Sequence, residues 1–159
     1  MRLSLLAILT CIAGLTTPSP LSPPSNNNTT TQELKGMIPV TSIECTASDL
    51  EPDATRKARA ELVKWGEDHM VPPKCLRRAE VRDTVWYVCN CKLTYADPLP
   101  KDELQKAEEL LFKKCGPFRS GAVWSREWDK MYKILPTEVV ANVTFPAEMC
   151  PPGCVFQEC

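Results

Sequence analysis

Nine cysteines and one histidine are the side chains of this chain best suited to chemistry, and their spacing limits what that chemistry can be. Zinc sites commonly use Cys-x-x-Cys pairs, and the chain has none. The pair Cys89-Asn90-Cys91 has no histidine near it in sequence. Two cysteines that close on one strand would strain a mutual disulfide, so each should bond a different partner. Neither a metal nor a cofactor is expected. His69 is the only imidazole, so any Ser-His-Asp or Cys-His arrangement would depend on it. A nuclease could be drawn from His69, Glu67 and Arg77 or Arg78, and a glycosidase from Glu80 with Asp83 or Glu108 with Glu109. No motif joins these residues. A histidine beyond a helix end is accounted for by the favourable helix C-terminus, and the acids read as helix-surface groups. Six glycines, none in a suitable run, leave no phosphate-cradling loop.

The compartment follows from the cysteines and the N-terminus together. Arg2 precedes a short apolar run, Leu3 to Gly14, read as part of a signal peptide over residues 1–17. A membrane span would need ~20 apolar residues. Cleavage removes Cys11 and leaves eight cysteines: Cys45, Cys75, Cys89, Cys91, Cys115, Cys150, Cys154 and Cys159. An even count behind a secretory signal predicts a framework of up to four disulfides in an extracellular protein, with the connectivity left open. Residues 18–36 are rich in Pro, Ser, Asn and Thr with little apolar content, which predicts a disordered leader carrying the glycosylation acceptors Asn27 and Asn28. Residues 37–159 then form one cysteine-rich domain. Lys and Arg total 19 against 20 acids, and removing Arg2 gives 18 − 20 = −2. That balance has no basic footprint, so no nucleic-acid partner is expected.

The elements that must position these cysteines are read from periodicity. Met37 to Cys45 predicts a first strand, placed at a sheet edge because Pro39 cannot donate to a ladder. Asp53 to Trp65 predicts a helix capped by Asp53, with Ala54, Ala58, Leu62 and Trp65 as its apolar stripe. Its basic residues Arg56, Lys57, Arg59 and Lys64 read as a solvated face. From Cys75 the chain leads into a half-buried central strand. Val85, Tyr87, Cys89 and Cys91 share one face of it, and Trp86, Val88 and Asn90 the other. A Pro-rich loop follows, then a helix from Asp102 to Cys115 with Leu104, Ala107, Leu111 and Cys115 inward and Asp102 with Gln105 as its capping signal. Arg119 to Leu135 reads as a short strand followed by a helical turn or two, with Trp124, Trp128, Met131, Tyr132 and Leu135 at helical spacing. Thr137 to Phe145 alternates like a last strand, which puts the acceptor Asn142 on its outward face. The tail from Met149 is too short to fold alone, so its three cysteines should clamp it to the body. The expected class is α+β: a small disulfide-stapled two-layer sandwich, an antiparallel sheet with two helices on one face.

A strand bearing Cys89-Asn90, a helix ending Cys115-Gly116, then Gly121, Trp128 and Tyr132 resemble small secreted cysteine-rich proteins of filamentous fungi, many regarded as effector candidates. The helix-then-Cys-Gly element is also similar to killer-toxin-like α/β sandwiches. Lys133 stands where that pattern has a glycine after Tyr132. The resemblance implies a two-layer α/β domain acting outside the cell and carries no catalytic residue across. The expected function is therefore a secreted, effector-like, non-catalytic binding protein. It should be a monomer without a membrane span, directed at a host protein or a cell-wall carbohydrate. Trp86, Trp124, Trp128 and Tyr132 are the candidate binding surface, with the core as the competing place for them. The alternatives are a secreted nuclease-like hydrolase and a protease inhibitor using a stiffened loop such as Tyr95 to Lys101.

Overall fold

The computed structural model describes residues 37–141, 143 and 146–159. The expected signal peptide and leader, with Cys11, Asn27 and Asn28, lie outside the described residues, as does Asn142. The fold is α+β, with two long helices on one face of a six-stranded, mostly antiparallel sheet. Its elements are β1 (Ser42–Asp49), α1 (Pro52–Gly66), β2 (Cys75–Val81), β3 (Thr84–Asn90), α2 (Lys101–Cys115), β4 (Arg119–Ser125), β5 (Lys130–Pro136), the short α3 (Thr137–Val140) and β6 (Gln157–Glu158). The strands lie in the order β1-β4-β5-β3-β2-β6, and only β6 runs parallel to its neighbour, β2.

Both long helices form where their apolar period predicts, but neither is capped as expected. Glu51 caps α1: its carboxylate accepts from the backbone N–H groups of Asp53 and Ala54 at 3.0 and 2.6 Å, which holds its pKa below the ordinary carboxylate value. Asp53 pairs with Lys57 one turn on instead, at 2.8 Å. The predicted capping by Asp102 is absent too, since α2 begins after Pro100 without a side-chain cap. Ala58 and Leu62 from α1 and Leu104, Ala107 and Leu111 from α2 meet Trp86, Val88, Val123, Tyr132 and Ile134 of the sheet in one core.

Three predicted strands need correction. β1 starts at Ser42, not Met37, and runs to Asp49, though it is an edge strand as predicted. The single central strand is a β2–β3 hairpin, turned at Arg82-Asp83 with Arg82 at φ 54°. Neither residue is glycine, so the usual left-handed turn signal is missing. Arg82 reaches Glu51 and Asp53 at 3.6 Å, so the turn is tied to the first turn of α1. Trp124 and Trp128 do not share a helix: Trp124 lies on β4, and Trp128 in the turn to β5. Thr137 to Val140 is helix, not strand.

β3 is buried along its whole length, not half-buried. The reason is the C-terminal tail, which covers the sheet face opposite the helices. Met149, Cys150, Cys154 and Val155 pack there on Leu76, Val85, Tyr87, Cys89 and Met131. Disulfides hold it: Cys89–Cys150, Cys91–Cys154 and Cys75–Cys159 bind the tail to β2 and β3, and Cys45–Cys115 binds β1 to the end of α2. Cys89 and Cys91 do take different partners.

Gly121 shows why glycine occupies β4 where it faces α2. A Cβ there would stand 2.2 Å from the Glu44 carbonyl oxygen and 2.9 Å from Leu111 Cδ1. Gly121→Ala should push β1 from β4 and cost ~1–3 kcal/mol or more, as overpacking does. An unchanged urea midpoint would contradict this close approach.

Candidate binding surface

On the tail-covered side, the sheet is left open over β1, β4 and β5. Register explains the gap. Glu44 pairs with Ala122 and Ala122 with Lys133, so a methyl group separates two long side chains in one cross-strand row. In the adjoining row Trp124 stands between Ser42 and Met131. With Pro151 and Pro152 of the tail as the far wall, these residues line a groove of about 290 Å³. Lys133 is half-buried, and its Nζ donates to the Met149 carbonyl oxygen at 3.3 Å. Burial lowers the Lys133 pKa, and the Glu44 carboxylate partly opposes this. The groove thus combines an indole ring, a desolvated cation and an anion.

A second, more polar cleft of about 210 Å³ is lined by Lys92, Asp97, Glu103, Trp128 and Lys130. Lys130 is 1% exposed, yet carries its charge inward. Its Nζ donates to Glu103 Oε1 at 2.6 Å and to the Pro98 carbonyl oxygen at 2.7 Å, and Tyr132 Oη donates to the same Glu103 oxygen at 2.7 Å. This network joins β5, the Pro98 loop and the first turn of α2. Lys92 pairs with Asp97 beside it. Every charge is matched within the protein, which suits a positioning role.

Burial lifts the Tyr132 phenol far above its ordinary pKa, and Glu103 acts in the same direction. Tyr87 is raised for the same reason, with Arg78 opposing. In the unfolded chain both ionise near pH ~10. Above that pH the native state retains protons that the unfolded state has lost, so stability should fall as pH rises past ~10. Lys133 has the opposite sign and should add some stability as pH climbs toward ~10.5. Urea midpoints from about pH 8 to 12 should therefore drop steeply at the alkaline end, and Tyr132→Phe should remove most of the drop. A flat profile would contradict the burial assigned to Tyr132.

The four aromatics singled out in the sequence do not form one surface. Trp86 and Tyr132 are core residues at 0 and 1% exposure, which removes them from the binding surface. Trp124 belongs to the groove and Trp128 to the polar cleft. His69 is exposed beyond α1, with Nδ1 3.0 Å from the Trp65 carbonyl oxygen and its ring stacked on Trp65. The Arg77 guanidinium covers the same Trp65 ring and donates to the Cys159 carbonyl oxygen, whereas Arg78 pairs with Glu158. Glu108 pairs with Arg59 and Glu109 with Lys106. Among the described residues no group of three or more His, Cys, Asp or Glu could hold a metal ion, and no helix is long and apolar enough to cross a membrane.

The prolines foretold a loop between β3 and α2, but not which of its residues are exposed. Leu93 is 78% and Tyr95 74% exposed, while Leu99 is buried and Lys101 begins α2. The protruding part is therefore residues 92–96, displaced toward the N-terminus from the predicted Tyr95 to Lys101. The signal that could have found it is Asn90, a buried amide between two cysteines.

No family model matches the sequence, and no curated protein does. Among solved structures, the tandem DUF26 ectodomain of the Arabidopsis thaliana cysteine-rich receptor-like protein PDLP8 is similar over 64% of this chain and 47% of that one, at 14% identity and a TM-score of 0.42. The chain thus spans about half of that ectodomain, and a likeness this distant says nothing of function.

Proposed function

We propose that the chain is secreted and acts outside the cell as a non-catalytic binding protein, with its ligand in the Trp124 groove. Four disulfides support the compartment, since such bonds persist in oxidising surroundings. The effector-like reading and the signal peptide rest on the sequence alone. The groove carries the functional reading: an indole ring beside the cross-strand row that holds a half-buried ammonium and a carboxylate, walled by the tail prolines. Rings of this kind pack on sugar faces while flanking charges take the hydroxyls, so a cell-wall carbohydrate is the ligand class this geometry supports best.

Calorimetric titration with chitin oligomers, peptidoglycan fragments and oligouronates tests it. Trp124→Ala should weaken binding by more than ~1 kcal/mol, about fivefold. His69→Ala should leave binding unchanged. The proposal fails if none of these sugars binds, or if turnover of RNA, chitin or peptidoglycan depends on His69, because losing a general acid–base group costs ~10²–10⁴ in rate.

A further inference from the structure

The loop at residues 92–96 is bare at its tip and fixed at both ends. Leu93, Thr94, Tyr95 and Ala96 are all exposed. Before them, Cys91 is bonded to Cys154, and its backbone N–H donates to the Asp129 carbonyl oxygen at 2.8 Å. The Lys92 carbonyl oxygen accepts from the Lys74 N–H at 3.2 Å. After them, Val71 and Asp97 exchange two backbone hydrogen bonds of 2.8 Å each. Beneath the loop lies Asn90, fully buried. Its Nδ2 donates to the carbonyl oxygens of Val71, Pro72 and Tyr95 at 3.0, 3.1 and 2.8 Å, and its Oδ1 accepts from the Lys92 N–H at 3.1 Å. Among the described residues, Leu93 and Thr94 make no hydrogen bond, so the peptide group joining them keeps its donor and acceptor free. The chain bends at Leu93 and Thr94 without a positive φ at any residue from 92 to 96, so the tip turns outward with no left-handed residue.

Two large apolar side chains held in water on a rigid loop are costly unless a partner covers them, and rigidity lowers the entropy lost when one does. A free peptide group behind an exposed leucine is what an endopeptidase reads. We propose that this loop enters the active-site cleft of a serine endopeptidase with a deep apolar specificity pocket and blocks it. Leu93 fills the pocket, the Leu93–Thr94 bond lies across the nucleophile, and Tyr95 contacts the leaving-group side. Attack by the protease hydroxyl on the Leu93 carbonyl carbon would release the Thr94 amine and leave an acyl-enzyme. Here that amine cannot depart. Asn90 and the Val71–Asp97 bonds hold one side, and Cys91–Cys154 the other, so the amine re-attacks the ester and restores the bond. Full hydrolysis consumes one water, yet leaves both new ends in one disulfide-bonded body. Lys92 is withdrawn from the role of Leu93 by its ion pair with Asp97. Leu93 and Trp124 both line an adjoining pocket with Pro151 and Pro152, but protease inhibition and sugar binding are read by different assays, so either reading can fail without the other.

The disulfide-bonded protein is incubated with chymotrypsin or with trypsin, and hydrolysis of a small chromogenic peptide is followed. Chymotrypsin should be blocked near one-to-one stoichiometry and trypsin left active. Leu93→Gly, at an exposed tip where folding is undisturbed, should weaken the block by about 100-fold or more, the loss expected of a central anchor. Leu93→Arg should transfer inhibition to trypsin. Thermal unfolding of each variant verifies the fold. The proposal is overturned if chymotrypsin stays active in about 100-fold excess of the protein, if Leu93→Gly inhibits as well as the native chain, or if the Leu93–Thr94 bond is cut as fast as in a free peptide.

Discussion

Lys130→Met should be among the most damaging single substitutions in the described chain, at ~3–5 kcal/mol, the range for breaking one side of a buried ion pair. The methionine nearly preserves volume, so the loss is electrostatic. Glu103 would keep Tyr132 Oη as a donor but lose its cation, and the Pro98 carbonyl oxygen would lose its donor. A domain of this size has ~5–15 kcal/mol in hand, so the variant should unfold at markedly lower urea. The double variant Lys130→Met/Glu103→Leu should recover much of the loss, because replacing both partners by apolar groups is often near neutral. A single-variant cost below ~1 kcal/mol would show that Lys130 does not secure the start of α2.

Cys89→Ala and Cys91→Ala should each cost ~2–5 kcal/mol, the usual loss for a native bridge in a small secreted domain. The bridges close segments of 61 and 63 residues, so each variant frees a long loop in the unfolded chain. Each also loosens the tail over the second core, exposing part of Leu76, Tyr87 and Met131. Non-reducing peptide maps should show one new free thiol per variant, at Cys150 for the first and Cys154 for the second. A peptide in which Cys89 is bonded to Cys91 would refute the assignment.

Local period and composition carried far in this chain. The inward stripes of α1 and α2, the two faces of β3, the edge placement of β1 and a tail too short to stand alone all follow from residue types at short separation. So does the expectation that Cys89 and Cys91 need separate partners. What period cannot report is what lies over a face. Val85, Tyr87 and Cys89 alternate in the same way whether water or the tail covers them, which is why β3 read as half-buried. Trp124 and Trp128, four residues apart, suit a helix turn as well as a strand and the turn that follows it; only pairing of β4 with β5 decides between them. The same pairing sorts the aromatics, sending Tyr132 into the helix-side core and Trp124 to the groove. Ala122 opens that groove only because Glu44 and Lys133 flank it across strands, contacts separated by some 78 residues (44 to 122) and 11 (122 to 133) along the chain. The cysteine count and the helical stripes were determined by the sequence itself, because they are local. The disulfide partners, the buried Lys130–Glu103 pair and the Asn90 clamp were decided by tertiary structure, because each needs groups brought together from distant parts of the chain.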